Sequence, residues 1–344
     1  MRIVFHTNQI SERGTEIAIF DYPLGNKNIL GGESFIAAPH NSYIDDSVLK
    51  RFVSIFNVIL YRSIQELEFY INNNNIDLIY SIESGELNNL ITTKIPTFIH
   101  CVFTTKYPHG KYYCPVSNFL NKYYFTKYPV LPHIVKPFPG STSNLREYLN
   151  IPLNAFVFGS YGGRNQFDID FVKKTIIEIA KNNIDIYFIF MNHEKFFDGL
   201  KNVIFLPKST DINFKESFIN TCNAMLHARS DGETFGLSIA EFSIKNKPIL
   251  TWKPTIIYNP IFILKEKIRQ ICGRKHRYAT AHIEILGKKG VYYHNSFTLK
   301  KVIINLTKNK IYLFNDYYNC YLNKFNEETV MKIFYNIINN KNQY

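Results

Sequence analysis

The stretch 227-HARSDGETFGLSIAEFSIKNKPIL-250 carries the decisive reading. An apolar strand runs out at Ala228, a loop carries Glu233, and Phe235-Gly236-Leu237 opens a helix holding Glu241 before 248-PIL-250 begins another strand. Strand, helix and strand in that order make one unit of a parallel sheet, because parallel neighbours need a crossover and a helix usually supplies it. Ligands of such sheets bind at the carboxyl ends of strands, beside helix N-termini whose unpaired N–H groups favour anions. Glu233 falls in the loop over that N-terminus and Glu241 two turns into the helix. A carboxylate near a helix N-terminus can also be a mere stabilising charge, so spacing alone assigns no chemistry.

Outward from this segment the same alternation fills the chain. Strands are expected at 2-RIVFH-6, 34-SFIAA-38, 57-NVILY-61, 77-DLIYSI-82, 96-PTFIHCV-102 and 113-YCPVS-117, with helices near 13–21, 45–55, 63–75 and 117–125. The segment 131-LPHIVKPFPGSTSN-144 then breaks all periodicity with prolines, a glycine and a Ser/Thr cluster, the composition of a hinge. A short helix at 144-NLREYLN-150 leads into strand 155-AFVFGSY-161, helix 167–182, strands 185-DIYFIFM-191 and 202-NVIFL-206, helix 214–222, strand 224-AMLHA-228 and helix 236–245. The last stretch, 326-NEETVMKIFYNIIN-339, is helical. Strands this continuously apolar are covered by helices on both faces. The expectation is α/β, two doubly wound domains: 1–138, with a C-terminal helix of about 325–344 packing back on it, and 139–324.

Composition narrows the chemistry. With 344 residues, 46% hydrophobic and 20% charged, the chain can bury two cores and is not disordered by composition. Its net charge of +12 favours an anionic partner: a phosphate-bearing small molecule, an acidic membrane face or nucleic acid. The basic residues are scattered, and the densest run, Arg274-Lys275-His276-Arg277, reads by default as a solvated face. Five cysteines without a C-x-x-C spacing suggest a reducing compartment and no zinc site. No apolar run reaches the roughly 18 residues of a membrane span. A soluble cytoplasmic protein is expected, with peripheral contact to an anionic membrane left open.

Two further turns have the form of an anion site. One is 7-TNQISERGTEIAIFDY-22, where Gly14 opens a helix; the other is 159-GSYGGRNQF-167, where Gly162-Gly163 precedes Arg164. The second lacks both the G-x-G-x-x-G and the G-K-[ST] spacings, yet a flexible backbone beside a guanidinium suits a diphosphate. Each also reads as an ordinary turn. His100, His193 and His227 stand at strand ends, where a histidine packs more often than it reacts. Asp168 and Asp170 read as charges for a helix N-terminal turn.

The segment E-T-F-G-L-S-I-A-E-F at 233–242 with P-I-L after it resembles the Glu-x7-Glu motif of retaining glycosyltransferases of the GT-B fold, in particular glycosyltransferase family 4. His100 closing 96-PTFIH-100, the stretch 144-NLREYLNIPLNAFVFGSYGGR-164 and the segment 282-HIEILGKKGVYY-293 are similar to further family landmarks, so the resemblance covers most of residues 1–300. It implies two Rossmann-like domains facing a central cleft. It implies that Glu241 holds the nucleotide ribose and that Glu233, with Thr234 beside it, meets the donor sugar. Backbone amides of Phe235, Gly236 and Leu237 would face sugar and diphosphate, Arg164 would bind the diphosphate, Gly14 would let the phosphate close against the first domain, and His100 would contact the sugar near the reacting carbon. The catalytic set is then His100, Glu233 and Arg164. The family's lysine after the arginine is missing, since Ile169 and Asp170 stand there, and Arg229 is the candidate to supply that charge.

The resemblance thus implies a nucleotide-diphosphate sugar as donor substrate and a glycan or lipid-linked acceptor. No cofactor and no metal are expected, because the sequence's one D-x-D, Asp168-Ile169-Asp170, is read as charge for a helix N-terminal turn and basic groups can stabilise the leaving diphosphate. Three other readings stay open: a basic nucleic-acid-binding protein, for which no module is recognised and no nucleic acid is expected; a non-catalytic sugar-binding relative; and an epimerase or phosphorylase of the same fold.

Overall fold

The computed structural model describes residues 1–11, 14–87, 95–308 and 318–339. The chain divides into two compact units: Met1–Ile134 with Ile268–His276 and Phe325–Tyr344, and Val135–Lys267 with Arg277–Lys324.

The first unit begins β1 (Arg2–His6), α1 (Gly14–Asn28), β2 (Glu33–Pro39), α2 (Asp46–Val53), β3 (Asn57–Tyr61), α3 (Ile64–Asn73) and β4 (Leu78–Glu83). It continues through β5 (Thr97–Cys101), β6 (Tyr112–Pro115) and α4 (Asn118–Tyr124). Among the described residues its strands form one parallel sheet in the order β3-β2-β1-β4-β5-β6. This is the doubly wound order 3-2-1-4-5-6, whose direction reverses between β1 and β4. Every residue of β4, β5 and β6 is buried, as continuous apolarity requires of strands covered on both faces.

Helix α1 outruns its expected end at residue 21 and passes through Pro23. The carbonyl of Pro23 accepts from Ser34 Oγ on β2 at 2.9 Å, and Asn26 Nδ2 donates to the same hydroxyl at 2.9 Å, so the sheet holds the turns that a proline weakens.

The second unit contains β7 (Phe156–Tyr161), α5 (Asp170–Asn182), β8 (Ile186–Met191), β9 (Val203–Leu206), α6 (Ile212–Thr221), β10 (Ala224–His227), β11 (Gly232–Glu233) and α7 (Leu237–Ile244). After these come β12 (Ile249–Trp252), α8 (Pro260–Ile271), β13 (Ala279–Thr280), α9 (Ala281–Leu286), β14 (Val291–Tyr293) and α10 (Ser296–Lys308). The chain ends through α11 (Leu322–Phe325) and α12 (Glu327–Asn339). The second sheet runs β14-β12-β10-β7-β8-β9, the same order again, with its switch point between β7 and β10. Two parallel doubly wound domains of this kind are the GT-B fold.

Helix α12 packs in the first unit. Phe334 meets Tyr22, Tyr80 and Phe98 edge-on, at 5.1 Å from the Phe98 ring, and a Cβ on Gly25 of α1 would stand 2.6 Å from Met331 Cγ. Only a bare backbone admits α12 there.

Two expectations need correction, concerning residues 144–150 and 268–276. Residues 144–150 form a turn and not a helix: Arg146 donates to the carbonyls of Pro152 and Ala155 and to Asn223 Oδ1, drawing the segment into a knot around its guanidinium. The end of the proline- and glycine-rich stretch is bonded to α6 within the second unit: Gly140 N–H donates to Glu216 at 3.1 Å, Asn220 Nδ2 to the Ser141 carbonyl at 2.8 Å, and Leu145 N–H to Thr221 Oγ1 at 2.7 Å. Residues 268–276, assigned by the sequence to the second domain, cluster with the first unit.

Candidate functional site

The expected site residues of the second unit gather at the carboxyl end of its sheet. Gly162, Gly163 and Arg164 follow β7; His193 follows β8; Arg229, Glu233 and Thr234 follow β10. The loops after β7 and β10 thus flank the switch point, and they bond to each other. Asp168 N–H donates to the Ala228 carbonyl at 3.1 Å, while Ser230 donates from its backbone N–H at 2.7 Å and its hydroxyl at 2.5 Å to the Asp168 carboxylate. Asp168 therefore ties two loops together, and the expected helix-end role falls to Asp170, in the first turn of α5.

Glu233 ends β11, which pairs parallel with β13. Gly232 makes that pairing possible: its φ is +65°, and a Cβ there would lie 2.1 Å from the Ala279 carbonyl oxygen. The Glu233 side chain is 13% exposed and meets Arg229 Nη1 at 2.9 Å and His227 Nε2 at 3.3 Å. Burial raises its pKa, but the His227 hydrogen bond, the Arg229 charge and the charges of His227 and His282 outweigh that and lower it to about 2. Since a carboxylate only accepts, His227 Nε2 donates to it, and its Nδ1 shares a hydrogen bond with Thr251 Oγ1 at 2.9 Å. His227, read from sequence as a packing residue, orients this carboxylate. Its position six residues before Glu233, at a strand end, was the available signal.

Helix α7 begins after Gly236, which is left-handed at φ +88°. Its first N–H groups have no partner within the helix. Phe235 is buried against Tyr321, whose hydroxyl donates to the Phe235 carbonyl at 3.0 Å, so that side chain anchors the turn and the backbone alone faces outward chemistry. Thr234 and Leu237 are half-buried. Further along α7, Glu241 accepts from Lys215 Nζ on α6 at 3.0 Å, with side chains 14% and 13% exposed. Lys215 also lies over the Tyr161 ring at 5.4 Å. The sequence offered no sign of Lys215, because the pairing joins residues 26 apart through the packing of two helices.

The loop after β7 is shaped by its own backbone. Gly163 N–H donates to Gln166 Oε1 at 3.0 Å, Asn192 Nδ2 donates to the Gly162 carbonyl at 2.8 Å, and Glu194 N–H donates to the Arg164 carbonyl at 2.9 Å. The Arg164 side chain is exposed. Arg229, the candidate for the missing lysine, is engaged with Glu233. His193 faces Ser160 Oγ at 3.0 Å, and burial lowers its pKa to about 4, so it is a neutral imidazole at neutral pH.

In the first unit, Gly14 opens α1, as the sequence suggested; Arg13 beside it lies outside the described residues. His100 is corrected. Its ring is wholly buried in β5, bonded through Nδ1 to Tyr80 Oη and packed edge-on against Tyr22 and at 5.3 Å from His133. Burial lowers its pKa well below the usual range, with His133 adding to the effect. It has no surface to present to a sugar. Among the described residues, no three His, Cys, Asp or Glu side chains converge to hold a metal ion, and no helix is long and apolar enough to cross a membrane.

Solved structures share this fold over the whole chain. The Anabaena protein Alr3699/HepE, solved with UDP-glucose, superposes with a TM-score of 0.69 at 14% identity, covering 98% of this chain and 99% of that one. A glycosyltransferase from Rickettsia africae gives 0.67 at 14% identity, with 99% of each chain covered. A UDP-N-acetylglucosamine 2-epimerase described as putative, from Listeria monocytogenes, gives 0.56 at 13% identity, covering 98% and 95%. The chain matches no protein-family model and no curated sequence.

Proposed function

We propose that the protein is a retaining glycosyltransferase that moves a sugar from a nucleotide-diphosphate sugar to a hydroxyl of a glycan or lipid-linked acceptor without needing a metal. One observation carries this reading: two ordered carboxylates, Glu233 and Glu241, bracket the N-terminal turn of α7 at the switch point of a GT-B domain, each held by a basic partner. In this assignment Glu241 takes the ribose hydroxyls and Glu233 the donor sugar. The amides opening α7 and the exposed Arg164 meet the diphosphate, whose negative charge grows as the glycosidic bond breaks. Oriented donors and a guanidinium do there what a divalent ion does elsewhere. The acceptor attacks on the face the diphosphate leaves, and the departing phosphate oxygen takes the acceptor proton. His100 has no part in this scheme.

The fold shared with HepE, solved with UDP-glucose, supports a uridine nucleotide as the first donor base to try. A panel of nucleotide sugars should produce a thermal shift with at least one member; saturation at 100 times Kd adds about 2.7 kcal/mol of apparent stability. Proton NMR of early product should then show the donor's anomeric configuration, with turnover persisting in EDTA. Inversion would remove the retaining assignment, and loss of turnover restored by Mg²⁺ would remove metal independence. The fold shared with the Listeria protein keeps epimerisation as a second reading. Conversion of the nucleotide sugar to its epimer with no acceptor present would establish it in place of transfer.

A further inference from the structure

Helix α8 has no buried residue along its 12 positions, unlike the helices that cover the two sheets. Apart from Ile263, 40% exposed, its exposed apolar residues share one side. Ile261, Leu264, Ile268 and Ile271 are 65%, 60%, 53% and 77% exposed. At 100° per residue their spacing of three, four and three places them within an arc of about 80°. Lys265 and Lys267, both exposed, fall on either side of that stripe.

The opposite side of the helix is the one that holds it. Glu266 pairs with Arg277 Nε at 3.4 Å, Arg269 Nη2 donates to the Lys275 carbonyl at 2.8 Å, Gln270 Nε2 donates to the Lys122 carbonyl at 3.0 Å, and Arg277 lies over the Phe262 ring. The apolar stripe therefore points away from these contacts. Just before it, Ile256 and Tyr258 are also exposed, at 51% and 60%.

Charge identifies the occupant. Residues 253–277 contain seven Lys or Arg and one acidic residue, Glu266, so this short segment holds half of the chain's net charge of +12. An apolar stripe flanked by lysines, on a helix too short to span a bilayer, is the form that lies in the headgroup region of an anionic membrane. A surface built for a second copy of the same basic segment would bring like charges together, and a polyanion in solution would leave the isoleucines exposed. We propose that α8 docks the protein on an anionic lipid surface, with Ile261, Leu264, Ile268 and Ile271 entering the acyl boundary and Lys265 and Lys267 meeting headgroup phosphates. This goes beyond the glycosyl-transfer reading and does not depend on it.

Vesicle flotation with the full-length protein tests it. Wild type should float with phosphatidylcholine–phosphatidylglycerol vesicles, less with phosphatidylcholine alone, and less as salt rises. Leu264→Asp with Ile268→Asp should weaken that binding by roughly tenfold or more, because burying carboxylates opposes insertion. Lys265→Glu with Lys267→Glu should abolish the preference for anionic lipid. Far-ultraviolet circular dichroism and melting temperature should match wild type in both variants, since no side chain of α8 is buried. Wild type failing to float, or the apolar pair of changes leaving flotation intact, would overturn the proposal. So would light scattering that finds a dimer dispersed by those two aspartates while vesicle binding persists.

Discussion

The two sheets share one strand order, yet their carboxyl ends differ in kind. In the first unit the polar side chains near the ends of the strands themselves are buried: His6 lies between Ser81 Oγ at 3.2 Å and Tyr61 Oη at 2.8 Å, His100 sits among Tyr22, Tyr80 and His133, and Glu83 is enclosed 3.6 Å from His109. In the second unit the corresponding end keeps charges at the edge of solvent, with Arg229–Glu233 and Lys215–Glu241 each partly exposed and Arg164 exposed. Identical topology therefore leaves the chemistry undecided, and these particular side chains differ in whether packing encloses them or leaves them at the edge of solvent. A change at the first end should cost stability, and a change at the second should cost binding.

Acid should separate the two units most strongly. Burial lowers the pKa of His6, His133 and His282 to about 3 and that of His193 to about 4, with His100 also lowered. A folded pKa below the unfolded 6.5 means these groups contribute nothing to unfolding above pH 6.5. Below it the unfolded chain takes up protons first, so stability falls steadily as the pH drops toward about 3. His6, His100 and His133 belong to the first unit and His193 and His282 to the second, so the first should unfold at the higher pH. The single tryptophan, Trp252, reports the second unit alone. Circular dichroism should begin to fall at a higher pH than Trp252 fluorescence changes; coincident transitions would erase the distinction. Glu233 works in a lower window, contributing fully above about pH 4.5 and losing that contribution as the pH falls toward 2.

Substitution at the buried end comes next. His100→Ala leaves a cavity and strips Tyr80 Oη of its partner, at a cost of about 3 kcal/mol in urea unfolding. Nucleotide affinity should not change. Unchanged stability with lost turnover would instead return His100 to the reaction.

At the charged end the sign reverses. Glu241→Gln should weaken nucleotide-sugar binding by about 2 kcal/mol, the worth of a charged hydrogen bond, with the melting temperature nearly kept. Equal affinity by calorimetry would remove Glu241 from the donor site. The smallest effect expected is from Asp168→Ala, which frees Ser230 and loosens the loop after β10. Stability should fall by about 1 kcal/mol or less, and donor affinity should fall with it only if that loop must be held in place to bind.

The doubly wound architecture was legible because it rests on local periodicity: runs such as 77-DLIYSI-82 and 185-DIYFIFM-191 are apolar without alternation, and each is followed by a helix-length pattern. The glutamate segment was legible for the same reason, since Glu233, Gly236 and Glu241 are neighbours along one loop and one helix. Burial and long-range partners were not. His100 and His227 both stand at strand ends in the sequence, and only packing puts one inside an aromatic core and the other against Glu233. Lys215 reaches Glu241, and Asp168 reaches Ser230 across 62 residues, through the crossing of elements that no local pattern encodes. Whether the apolar stripe of α8 is a core face or an outer one was likewise decided by tertiary structure. A helix's spacing tells which residues share a side, but only its neighbours determine which side meets water.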